Sequence, residues 1–227
     1  MADPAPRGSR LLELVAVQDR LRSPGGCPWD REQTHESLVP YLLEEAYECV
    51  EAIETGDRAH LREELGDLLM QIVFHARIAE ESAEAWSIDD VAGDIADKLV
   101  RRHPHVFGDV DASTAAEVEA NWEQLKAAEK GRTSSVDGVP LAQPALALAD
   151  ALLRRAQRAG VPDDVIAVIA GDDTSDTAAE NERDIGAALL RLVADARAAG
   201  VDPESALRAA ARDLRERVVA WEAGRGG

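Results

Sequence analysis

Two acidic motifs, Glu44-Glu45-Ala46-Tyr47-Glu48 and Glu64-Leu65-Gly66-Asp67, are separated by fifteen residues. If both segments are helical, residues three apart share a face, so Glu45 with Glu48 and Glu64 with Asp67 would each present two carboxylates from one side. Two antiparallel helices could bring the four to one point. Four hard oxygen donors suit Mg²⁺, with Mn²⁺ an acceptable substitute.

Acidic helices are more often simply solvated faces, and the pattern of neighbours bears on the choice. At about 100° per residue, Glu48 falls at about −60° from Glu45. Leu38, Leu42, Ala46, Cys49, Val50 and Ile53 gather on the other side of Glu45. The same holds for Asp67 and Glu64 against Leu61, Leu65, Leu68, Leu69 and Ile72. Each acidic pair therefore borders an apolar stripe instead of opposing it. Carboxylates crowded at such an edge repel one another unless protonated or bridged by a cation. On these residues alone, a metal site and a solvated acidic face both stay open. Gly66, inside the second motif, suggests a close approach by another backbone, by a ligand, or by ordinary packing.

Basic residues concentrate in one place. Lys98, Arg101 and Arg102 precede His103-Pro104-His105-Val106-Phe107 at a helix end. They could grip phosphates, although cations at a helix C-terminus also favour its dipole. Trp29, in a Pro/Gly-rich loop, offers either a stacking surface for a base or a core anchor. Trp122 and Lys126, one turn apart, are candidates to close over a site, with packing and solvation as the plainer alternative.

The rest of the chain bounds the setting. Its 227 residues carry a net charge of −19, which disfavours nucleic-acid polymers while leaving room for a small anion bridged by metal. Two cysteines make no disulfide framework. With no apolar leader and no membrane-length apolar run, the expectation is a soluble cytoplasmic protein. Residues 1–9 read as a disordered lead. Helical patterns follow over 10–22, 37–55, a stretch capped by Asp57 to about 81, one opening at Ser87, and one from Thr114 with Glu117 to about 130. Residues 131–139 read as a linker, and 141–159, 178–199 and 204–222 as further helices. No stretch alternates at period two, so the fold class is all-α.

Cys27-Pro28-Trp29-Asp30, Gln33-Thr34-His35, the two acidic motifs and Lys98 through Phe107 together resemble the MazG family of nucleoside triphosphate pyrophosphohydrolases. The resemblance spans residues 10–130. It implies a helical bundle of that type acting as a homodimer, with Mg²⁺-dependent cleavage of NTPs and dNTPs to monophosphate and pyrophosphate, a nucleotide-pool house-cleaning role. It also implies that Glu45, Glu48, Glu64 and Asp67 hold the metal, with Glu44 orienting a ligand or serving a second metal.

Residues 140–227 read as a degenerate second helical repeat. Asp184-Ile185-Gly186-Ala187-Ala188-Leu189 parallels Glu64 through Leu69, and Ala196-Arg197 parallels Ala76-Arg77. The acids are gone: Ala187 stands where Asp67 would, and Val165-Ile166-Ala167-Val168-Ile169 replaces Glu-Glu-x-x-Glu. Two rival functions remain at this level. One is a non-catalytic helical dimerisation or regulatory module. The other is a carboxylate di-iron oxidoreductase, which needs two Glu-x-x-His motifs where only Glu32 to His35 fits.

Overall fold

The computed structural model describes residues 6–110, 114, 117–118, 134–166 and 178–223. The chain divides into two compact units, Met1–Leu125 and Lys126–Gly227. Every regular element among the described residues is helical, as the sequence predicts.

The first unit is built around a helical hairpin. Helix α1 runs Ser9–Arg22, α2 Pro28–Glu32, α3 Val39–Thr55, α4 Arg58–Ala79, α5 Ile88–Arg102 and α6 Pro104–Phe107. Gly56, at φ 76°, ends α3 in the left-handed region that favours glycine. Asp57 then caps α4, its Oδ1 accepting from the backbone N–H of Ala59 and His60, both at 3.0 Å. These donors hold the Asp57 carboxyl below its usual value, the N–H of His60 most of all. A two-residue turn forces α4 back along α3, and this is the most extensive helix pair of the unit. Leu38, Cys49 and Ala52 close one side of the seam, with Val73, Phe74, Ala76 and Ala79 buried on α4.

Arg22, at the end of α1, locks the segment leading into α3. It is buried, at 8% exposure for the residue and 7% for its side chain. Its Nε and Nη2 donate to the two carboxylate oxygens of Glu81, each at 3.0 Å. Its Nη1 donates to the carbonyls of Asp30 and Gln33. The guanidinium also lies 6.0 Å from the Phe74 ring centre. This bidentate pairing holds the Glu81 carboxyl below its ordinary value. Gly26 tucks against the same helix end: a Cβ there would meet the Leu21 carbonyl oxygen at 2.2 Å.

Several expectations shift. Trp29 lies not in an open loop but in α2, which starts where Pro28 supplies a helix-compatible φ. Helix α3 starts at Val39, two residues later than expected, because Thr34 and Ser37 close a side chain–backbone turn first. The expected start of α5 is sharper than read: Ser87 and Asp90 form a reciprocal capping box. Thr114 and Glu117 bond each other's N–H groups as a capping box should; from residue 119 on, that expected helix lies outside the described residues.

The second unit contains α7 (Ala145–Arg158), α8 (Asp163–Ile166), α9 (Ala178–Ala198) and α10 (Pro203–Ala223). Ala151, Leu153, Ala187 and Val193 are buried. Arg197 of α9 pairs with Asp150 of α7, much as Arg77 of α4 pairs with Asp19 of α1 at 2.7 Å in the first unit. Within the stretch read as a linker, Val139 is buried and the Asp137 carbonyl accepts from Arg155 at 2.7 Å.

Replacing Arg22 leaves the Asp30 and Gln33 carbonyls without their donor and Glu81 with Arg77 alone. Arg22→Ala is expected to lower the unfolding free energy by about 2–4 kcal/mol, read from urea denaturation, with Arg22→Lys recovering only part because it cannot fork.

Candidate functional site

The hairpin explains why four acids meet. Glu48 and Glu64 stand eight residues before and after Gly56, and Glu45 and Asp67 stand eleven before and after it. Antiparallel pairing about that turn therefore sets Glu48 across from Glu64 and Glu45 across from Asp67. The electrostatics follow the same pairing. The charge acting most strongly on Glu45 is Asp67, and after burial the largest push on Glu64 comes from Glu48. Ligand atoms of Glu45, Glu48 and Glu64 lie within 4.8 Å of one another. Asp67 sits outside that closest trio but inside the same field. Glu44 is exposed and adds a weaker push on Glu45.

Burial and mutual repulsion raise the affinity of these groups for protons. Glu45 is pushed up first by desolvation, then by Asp67, Glu48 and Glu64. Glu64, only 6% exposed, is pushed up first by desolvation, then by Glu48. Cys49, buried beneath them, has its thiol raised by burial and by all four acids. Carboxyls held this close repel unless they share a proton, and a divalent cation can take that proton's place. The donor set is all hard oxygen, converging and partly desolvated, so the residues fit a Mg²⁺-type ion.

The other candidates are placed less uniformly. Trp29 is about half exposed and meets Tyr41 of α3 and Phe74 of α4 edge-on, at 5.9 and 6.5 Å between ring centres. Lys98 is half-buried and Arg101 exposed, whereas Arg102 is drawn in to 6% exposure. No α5 residue ranks among the main influences on Glu45 or Glu64. Trp122 and Lys126 lie outside the described residues. Gly66 has nothing within 4 Å of where a Cβ would be, so no backbone of the described chain uses the gap expected of it.

Much of the stripe beside the acids is not buried in the chain. Leu65, Leu69 and Ile72 remain exposed on α4, and Ile53 on α3. The helix wheel identified a shared apolar face correctly but not what covers it. Helices α1, α3 and α5 all pack against α4, yet these side chains stay open among the described residues.

Three polar features went unread in the sequence. His60 Nε2 pairs with Glu64 Oε1 at 2.9 Å; the signal was a histidine four residues before an acid on one helix. Gln71 Oε1 and His75 Nε2, further along α4, are buried without a hydrogen-bond partner among the described residues. His75 shares an Nδ1–Nδ1 hydrogen bond of 2.8 Å with His35, the ring planes parallel within 1°. Nothing in local periodicity links residues 35 and 75.

Residues 33–107 match the MazG nucleotide pyrophosphohydrolase domain, a stretch that encloses the hairpin and all four acids. A Thermotoga maritima protein named nucleoside triphosphate pyrophosphohydrolase/pyrophosphatase MazG is 43% identical, over 95% of this chain and 86% of its own length. The chain belongs to the MazG family. An uncharacterized 26.1 kDa protein in the blaB 3′ region of Streptomyces cacaoi is 54% identical, across 95% of this chain and 84% of that protein. A nucleoside triphosphate pyrophosphohydrolase of Mycobacterium tuberculosis is 50% identical over 69% of this chain and 47% of its own. The match over nearly the whole chain in the first two covers the second unit as well as the MazG domain.

The raised carboxyls set a pH dependence of stability. Below the ordinary glutamate value of about 4.3, Glu45 is protonated folded and unfolded alike. As pH rises through its higher folded value, ionisation disfavours the folded state and that stability is lost. With metal removed by chelator, Glu45→Gln should therefore match wild type near pH 4 and exceed it by pH 7, with a Tm gain on the order of 2–4 °C. Calorimetry across that range checks the sign.

Proposed function

We infer that this chain hydrolyses nucleoside triphosphates, NTP or dNTP, to the monophosphate and pyrophosphate, with Mg²⁺ or alternatively Mn²⁺ held by Glu45, Glu48, Glu64 and Asp67. The observation that carries this is the convergence of Glu45, Glu48 and Glu64 ligand atoms within 4.8 Å, on a hairpin that also aims Asp67 at Glu45. The names of the T. maritima and M. tuberculosis relatives supply the substrate class.

A bound divalent ion would neutralise phosphate charge and lower the pKa of a water. The chain's own residues do the rest. The α3–α4 hairpin fixes four carboxylates before substrate arrives, so little reorganisation is left for the reaction itself. Glu44, exposed at the rim, is free to orient a water or ligand or to take its proton. Lys98 and Arg101 hold the triphosphate tail by charge-assisted hydrogen bonds, and Arg102, buried behind them, anchors that helix end. Trp29 offers its open side to the base. Trp122 and Lys126 complete the substrate contacts in this reading.

We further infer a homodimer in the cytoplasm, serving nucleotide-pool house-cleaning. The open stripe of Leu65, Leu69 and Ile72 beside the acids supports the dimer, because a face of that kind is normally covered. Among the described residues no helix is long and apolar enough to cross a membrane. In the second unit, Ile185, Leu189 and Leu192 hold the same spacing as that stripe and are likewise exposed, while Val193 is buried as Val73 is. We read residues 140–227, after a 131–139 connection, as a repeat that keeps the packing face of 10–130 and has lost its metal chemistry.

The deciding assay is pyrophosphate release from each NTP and dNTP with and without Mg²⁺. Glu48→Ala and Asp67→Ala should stay folded yet lose activity by more than about 100-fold, beyond what outer-sphere changes typically cost. Lys98→Ala should chiefly raise KM. Metal-independent turnover, or Glu48→Ala at wild-type rate, would overturn the carboxylate metal site, and no pyrophosphate release from any NTP or dNTP would return the protein to a non-catalytic helical module.

A further inference from the structure

Among the four acids Glu64 has the least room. It is the buried one, it faces Glu48 across the seam, and Asp67 lies one turn further along its own helix. A glutamate in that position has three side-chain torsions and every electrostatic reason to swing away from the other acids. One basic side chain opposes this. His60 Nε2 lies 2.9 Å from Glu64 Oε1, one turn back on the same face of α4. A carboxylate only accepts, so Nε2 carries the proton and donates.

His60 is itself fixed. Its backbone N–H donates to Asp57 Oδ1, so it sits in the first turn of α4, where the cap sets the helix geometry. A chain of contacts thus runs from the Gly56 turn through Asp57 and His60 to Glu64 and on to Glu48. We propose that His60 is a positioning residue for the metal: by holding Oε1 of Glu64 it selects the carboxylate rotamer that meets Glu45 and Glu48. The proposal rests on the carboxylate metal site inferred above. It assigns His60 no contact with substrate and no proton transfer; its role is the hydrogen bond alone.

The test uses the full-length protein and Mn²⁺ alone, without nucleotide, following free Mn²⁺ by electron paramagnetic resonance at pH 8. His60→Ala should weaken Mn²⁺ binding by about ten- to a hundredfold, as loss of an orienting partner does at other metal sites. His60→Gln, whose amide N–H can still donate to Glu64, should recover most of that affinity. Arg58→Ala, which removes a cation from the same first turn, controls for simple charge loss and should leave binding unchanged. Chelated-state Tm values identify any variant that merely unfolds. Wild-type affinity in His60→Ala, or a His60→Gln variant as weak as His60→Ala, overturns the proposal while leaving the metal site standing. If wild-type protein shows no saturable Mn²⁺ binding, or binding that survives Glu48→Gln, the metal site itself is wrong and the role of His60 falls with it.

Discussion

Like charges held close together are the constraint around which the first unit is arranged. Glu45, Glu48, Glu64 and Asp67 would separate if their backbones allowed it, and desolvation makes the crowding worse. What prevents separation is apolar and local. The turn at Gly56 and the cap at Asp57 leave α4 no freedom in its angle of departure. Leu38, Cys49 and Ala52 fill the seam, with Val73 and Phe74 beyond. The stability of the hairpin goes into an arrangement that protonation or a bound cation would relieve, as is common where function and stability conflict.

Arg22 extends the same logic to the flanking segment. The stretch from Ser23 to Leu38 has a single short helix, so most of its carbonyls lack intrahelical partners. One guanidinium satisfies two of them and ties the stretch to Glu81, at the far end of α4 from the cap. Trp29 and His35 then rest against residues of α3 and α4 instead of hanging free. The acids are held from one end by the turn and from the other by this clamp.

The features legible in the sequence were those set by local chemistry. Spacing of three placed each acidic pair on one face, and capping residues marked where α4 and α5 begin. The equal distances of the acids from Gly56 were also present in the sequence and became meaningful only once the turn was known. What stayed hidden depends on residues far apart in the chain. Arg22 and Glu81 are 59 positions apart, and His35 and His75 are 40. Arg102 read as one of three helix-end cations able to grip phosphates, and periodicity could not register that it is buried. The apolar stripe misled in a different way. A wheel reports that Leu65, Leu69 and Ile72 share a face, but hydrophobicity is the same whether the cover comes from this chain or from another.

That ambiguity bears on the second unit. Charges and apolar faces answer to different requirements, so a repeat can lose one and keep the other. An acid without its metal is a burden once desolvated, and Ala187, buried where Asp67 would stand, relieves it. An apolar face that packs on a partner gives stability whatever chemistry goes on beside it. The stripe of Ile185, Leu189 and Leu192 and the buried Val193 are features of the second kind. In the proposed reading, the repeat has been reduced to the part of the MazG plan that packs. The first unit alone carries the four carboxylates, and with them the constraint that shapes its hairpin.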